Sequence, residues 1–165
     1  MAGVNIHASC VRLAGAGKPF GAPPGCGILL LGGSGAGKSD LALRLIALGA
    51  ELVADDRTDL FLLRGKLYAR APARIAGLLE VRGVGILALP YKDKVPVTLV
   101  ARLGGAAKRL PELRRWRAPA ALGLPVKAAP AVVSVAAAEA SAPAKLAAAA
   151  AAAALGLHRF DVNPI

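Results

Sequence analysis

The chain is 165 residues long, 56% hydrophobic, with 21 Lys and Arg against 10 Asp and Glu, a net charge of +11. That length suits one domain that buries roughly 70% of the surface its unfolded chain exposes, and it excludes a linker or fibrous segment. The charge favours an acidic partner, whether nucleotide, nucleic acid or acidic protein.

From the start, residues 5–13 alternate as a strand, with Ile6, Cys10 and Val11 apolar and His7 among them. Residues 15–25 carry Pro19, Pro23 and Pro24 among glycines and form a turn-rich loop. The apolar run Ile28-Leu29-Leu30-Leu31 follows and leads into Gly32-Gly33-Ser34-Gly35-Ala36-Gly37-Lys38-Ser39, which fits the phosphate-loop pattern G-x-x-x-x-G-K-[ST]. Backbone N–H groups can close around a triphosphate only where side-chain bulk is small and positive φ is cheap, and four of these eight positions are glycine. Lys38 supplies a point charge for the β- and γ-phosphates, Ser39 a hydroxyl for Mg²⁺, and the next helix its N-terminal dipole. That helix is expected over residues 40–47, with Leu41, Leu45 and Leu48 on one face and Gly49 as its stop.

A short apolar strand, Glu51-Leu52-Val53-Ala54, runs into Asp55-Asp56. Ligands of open α/β sheets gather at the carboxyl ends of parallel strands, so a strand lying beside the phosphate-loop strand would deliver these acids to the nucleotide. Successive strand residues face opposite ways, which lets only one of the pair point straight into the site, and the alternative reading is that Asp55 or Asp56 merely caps the turn at Arg57-Thr58. One such aspartate assists Mg²⁺ in phosphate-loop enzymes, and a second can accept the proton of an attacking hydroxyl. A hairpin is expected from Leu60 to Tyr68. Residues 78–87 then place Glu80 and Arg82 on one face of an extended segment, an arrangement that a surface ion pair explains as well as a functional one.

Residues 96–103 read as another strand. The basic residues gather most densely over 108–117 with one aromatic, which reads as a solvated basic face and not as a nucleic-acid-binding patch. Apolar segments at 122–126 and 132–135 follow. Ser141-Ala142-Pro143 opens an alanine-rich final helix that Gly156 stops, with His158 in the tail. Cys10 and Cys26 have no partners at zinc spacing and are expected to be reduced thiols. Neither a leader pattern nor an apolar run of membrane-spanning length is visible, so no membrane association and a cytoplasmic location are expected.

His7-Ala8, the stretch from Gly27 through the phosphate loop, Leu52-Val53-Ala54-Asp55-Asp56 and Leu79-Glu80-Val81-Arg82-Gly83-Val84-Gly85-Ile86 together resemble the catalytic domain of HPr kinase/phosphorylase. The last two motifs are the specific ones. The likeness is good over residues 4–103, and the chain reads as a short form consisting of that domain alone. The resemblance implies an α/β phosphate-loop fold related to phosphoenolpyruvate carboxykinase, with a central sheet flanked by helices. It implies transfer of the γ-phosphoryl of ATP, with Mg²⁺, to a seryl hydroxyl of the phosphocarrier protein HPr, reversal by phosphorolysis, and assembly as a homo-oligomer, a hexamer. Carried over by motif, Gly32, Gly33, Ser34, Gly35, Ala36, Gly37, Lys38 and Ser39 bind ATP. Lys38 stabilises the transferring phosphoryl, and Ser39, Glu80 and Asp55 serve the metal. Asp56 is the proton acceptor, His7 the active-site histidine, and Arg109 or Arg114 the later arginine. The segment Pro125-Val126-Lys127-Ala128-Ala129-Pro130 lacks the glycine and arginine that the family uses for dephosphorylation, so the departure falls on the reverse reaction. A small-molecule kinase and a non-catalytic regulatory ATP-binding protein are the alternatives.

Overall fold

The computed structural model describes residues 3–15, 20–105, 108–109, 111 and 114–156. Strand β1 (Gly3–Leu13) organises the sheet because it changes neighbours along its length. Its first half pairs antiparallel with β4 (Arg57–Leu63), from Gly3 opposite Phe61 to His7 opposite Arg57. Its second half pairs antiparallel with β2 (Cys26–Leu31) on one edge and with β3 (Ala50–Ala54) on the other. Burial follows the pairing: residues 3–7 alternate between exposed and half-buried, while Ala8, Ser9, Cys10 and Val11 are wholly covered. Alternation belongs to a strand with one wet face and a continuous apolar run to one covered on both.

Strand β8 (Val95–Leu103) makes the same passage, meeting β5 (Lys66–Arg70) at its start and then running parallel to β2 and to β10 (Ala131–Val135). The two-residue strand β9 (Arg114–Arg115) pairs with β10 at the edge. Hydrogen bonding therefore passes from β2 through β1, β4, β5 and β8 back to β2. β4 and β5 are joined by Arg64 and Gly65, both at positive φ (51° and 75°), as a two-residue hairpin with native twist requires.

The helices α1 (Lys38–Ala47) and α2 (Ala142–Leu155) pack on one face of this mixed sheet, where Ile28 and Leu30 of β2 meet Leu41, Leu45 and Leu146. Leu29, between them in sequence, points the other way into a second core with Leu60, Val95, Val100, Trp116 and Leu122. α2 is almost entirely alanine, so the helix lies close on the sheet, and Leu146 is its one large, fully buried side chain. Gly156, at φ 65°, ends it as expected. Cys10 and Cys26 are buried free thiols, and burial pushes both thiol pKa values up. No helix among the described residues is long and apolar enough to cross a membrane. His158 and Leu110 lie outside the described residues.

Three expectations need correcting. β3 does not lie beside β2: β1 separates them, and because β1 is antiparallel to both, β2 and β3 still run the same way and end at the same edge. Leu48 does not continue the apolar face of α1 but forms its C-terminal cap, 74% exposed. Residues 78–87 are not one extended segment. They fold into β6 (Leu78–Val81) and β7 (Gly85–Ala88), with Val84 N–H bonding to the Val81 carbonyl and Gly83 and Gly85 at positive φ. Arg82 consequently sits in the turn and does not share a strand face with Glu80.

Candidate active site

β2 ends at Leu31, and the chain turns through Gly32 to Gly37 into α1. Two glycines are required by geometry. A Cβ on Gly32 would stand 2.8 Å from that of Ala36, and Gly37 caps α1 at φ 91°. Lys38 is buried, and its ammonium donates to the carbonyls of Gly32 and Gly33 at 2.7 and 2.9 Å, which ties the start of the loop to the start of the helix. Burial lowers the Lys38 pKa, while the carboxylates of Asp56 and Asp55 work in the opposite direction. The first N–H groups of a helix have no intrahelical acceptors, so a positive nest and a fixed cation share one loop, the environment a phosphate group needs.

Asp55 is buried at the end of β3. Ser39 Oγ donates to its Oδ1 and Oδ2 at 2.8 and 3.1 Å, Ser9 Oγ donates to Oδ1 at 2.6 Å, and the Glu80 backbone N–H donates to Oδ2 at 3.3 Å. Asp56 is reached differently. Arg57 N–H bonds to the Asp55 carbonyl at 2.7 Å across a three-residue turn, and Asp56 at its centre takes φ 62°. The left-handed residue breaks the strand's alternation, so both acids address the same region instead of opposite faces. Asp56 is 67% exposed and lies 3.2 Å from His7 Nε2.

His7, Ser34 to Ser39, Asp56 and Glu80 line one cavity of about 620 Å³. Leu43 and Arg82 are also part of the wall, as are Ala137 and Ala138, which follow β10. Arg44, paired with Asp40 at 3.0 Å, also donates to the carbonyls of Ala137 and Glu139 and so clamps that loop onto α1. Arg109, in the segment after β8, is exposed and does not line this cavity, and Arg114 is on β9. The sequence reading passed over Ser9 and the 137–138 wall. Ser9 was signalled, because it stands two residues from His7 and shares its strand face, whereas nothing in an alanine pair marks a cavity wall.

The donor set fits a nucleotide with a hard divalent cation. A hydroxyl already donating to a carboxylate presents its lone pairs outward, and Glu80 adds a second oxygen donor from the cavity wall. Among the described residues no three His, Cys, Asp or Glu side chains converge as a closed metal cage.

Residues 24–91, which span the phosphate loop, both aspartates and the β6–β7 hairpin, match the HPr Serine kinase C-terminal domain. Over such stretches the chain is similar to the HPr kinase/phosphorylases. That of Clostridium tetani is 52% identical over 66 residues, 40% of this chain and 22% of the relative, and that of Ralstonia nicotianae is 40% identical over 114 residues, 62% and 35% respectively. This chain thus spans well under half the length of the curated relatives it matches. The fold is that of the Hpr(Ser) kinase/phosphatase from Coxiella burnetii, with a TM-score of 0.71 at 20% identity over 93% of this chain and 98% of that one.

Proposed function

We propose that this HPr-kinase-type domain is an ATP- and Mg²⁺-dependent protein kinase that phosphorylates a seryl hydroxyl of an HPr-like phosphocarrier protein. The observation that carries the reading is that one cavity holds a phosphate loop, with Ser39 committed to Asp55, and a further carboxylate, Asp56, that is not used in that contact. Lys38 and the α1 N-terminus hold the phosphates, and the Ser39 hydroxyl and Glu80 hold the cation, which supplies charge neutralisation. Asp56 accepts the seryl proton as the Oγ–P bond forms and the bond to ADP breaks, with His7 orienting its carboxylate. A cytoplasmic location and homo-oligomeric assembly, as a hexamer, go with this reading. Light scattering of the purified chain tests the second.

The deciding experiment incubates the protein with γ-labelled ATP, Mg²⁺ and purified HPr. Label is expected on a serine of HPr, and Lys38→Ala is expected to cut the rate by about 10²–10³, the cost of removing one preorganised charge from a developing anion. Label on a metabolite instead of HPr would make the protein a small-molecule kinase. Nucleotide binding without transfer would make it a regulatory module. Incubation of phosphoseryl-HPr with inorganic phosphate measures the reverse reaction, which is expected to be the weaker because residues 125–130 depart from the family's pattern.

A further inference from the structure

One buried polar side chain stands directly behind the phosphate loop with no part in phosphate binding. Ser9 is fully enclosed in the middle of β1, next to Cys10, whose register partner Ala54 immediately precedes Asp55. Its hydroxyl donates to Asp55 Oδ1 at 2.6 Å, shorter than the bonds that Ser39 and the Glu80 N–H make to that carboxylate. Ser39 shares the same oxygen at 2.8 Å, and the Glu80 N–H holds Oδ2. A serine hydroxyl has one proton and two lone pairs. While Asp55 keeps the Ser39 proton, the lone pairs of Ser39 are turned away from Asp55 and are available to a cation. Asp55 keeps that proton only while its own carboxylate is prevented from rotating, and in a buried carboxylate the donors around it decide the rotation. His7 and Ser9 lie on one face of β1 and divide the two acids between them, His7 on Asp56 and Ser9 on Asp55.

We propose that Ser9 is a positioning residue for the cation site: it locks Asp55 against Ser39, so that the Ser39 hydroxyl is oriented toward Mg²⁺ before nucleotide arrives. The inference rests on the nucleotide- and Mg²⁺-binding half of the function proposed above and not on the identity of the phosphoryl acceptor. Removing an outer-sphere partner of this kind weakens metal affinity by about 10- to 100-fold without touching the ligand itself.

The test is binding of a non-hydrolysable ATP analogue by calorimetry across a Mg²⁺ titration, with no acceptor protein and no turnover. Ser9→Ala is expected to raise the Mg²⁺ concentration for half-saturation by about 10- to 100-fold, with analogue affinity recovering toward wild type at saturating Mg²⁺. Ser9→Thr, which keeps the hydroxyl, is expected to restore most of the loss. Ser9→Cys, close in size and a weaker donor, should fall between them, and it carries the test if the alanine variant does not fold. Thr58→Val is the control: Thr58 is a second buried hydroxyl on the same sheet, and it donates to the Ala8 carbonyl at 2.8 Å. An unchanged Mg²⁺ titration in Ser9→Ala would overturn the proposal, as would an equal rise in Thr58→Val, which would trace the effect to a loosened β1. A protein that shows the Ser9 dependence yet never labels HPr keeps this inference and loses the kinase reading. A wild type whose analogue binding ignores Mg²⁺ loses this inference, whatever it labels.

Discussion

Asp56 pays for its position with its backbone: at φ 62° it occupies the left-handed region, which costs a non-glycine residue stability and is retained where function requires it. Asp56→Gly is expected to raise the unfolding free energy by up to about 1 kcal/mol, the relief of that conformation less glycine's greater unfolded-state entropy, while abolishing proton acceptance. Urea unfolding checks the first half, and a fall in stability would show that the His7 contact outweighs the strain. Asp56→Asn keeps the shape and the tolerance for positive φ. It is expected to lower kcat by roughly 10²–10⁴ with ATP affinity nearly intact, whereas Asp55→Asn, whose carboxylate is committed to Ser9 and Ser39, is expected to act through Mg²⁺. Single-turnover transfer together with nucleotide affinity separates the two. Loss of transfer in Asp55→Asn but not in Asp56→Asn would exchange their roles.

α2 and the β1–β3 edge show how few side chains fix an element in place. α2 presents a row of alanines to the sheet, so its docking depends on Leu146, which is fully buried, while Leu155 near its end is 48% exposed. Leu146→Ala is therefore expected to cost about 2–5 kcal/mol, and Leu155→Ala less than about 0.5 kcal/mol. Equal losses in denaturant unfolding would place the anchor elsewhere. On β3, burial works to raise the Glu51 pKa, but Arg12 and Lys92 (3.2 Å) both hold its carboxylate and the net effect is downward. A carboxyl whose folded pKa lies below its unfolded value of about 4.3 stabilises fully above that value, and its contribution fades as pH falls through the folded one. Stability of the wild type should thus drop below about pH 4.3 more steeply than that of Glu51→Gln. Parallel acid limbs for the two proteins would show that the cluster does not contribute.

The candidate site was legible because its residues fall in local motifs: a glycine loop ending in Gly37-Lys38-Ser39 and an apolar strand ending in Asp55-Asp56. The arrangement of strands was not, since nothing local announces that β1 inserts between β2 and β3, or that β1 and β8 each pass from one set of partner strands to another. That passage has a thermodynamic consequence. The core beneath the helices and the core holding Trp116 share two continuous strands, and every residue from Ala8 to Val11 is buried at the crossing. Neither core can lose its strands without exposing the other, so the two should unfold together. The chain has a single tryptophan, and it sits 5% exposed in the core away from both helices, so its fluorescence reports one core while far-ultraviolet circular dichroism reports the helices over the other. The two urea transitions are expected to coincide in midpoint and slope. ATP with Mg²⁺ at 100 times its dissociation constant should move both by the same amount, about 2.7 kcal/mol, although the proposed site lies at the edge of only one core. A tryptophan transition that separates from the helical one, or that stays in place while ligand moves the helical one, would show that the cores melt independently and that β1 and β8 do not couple them.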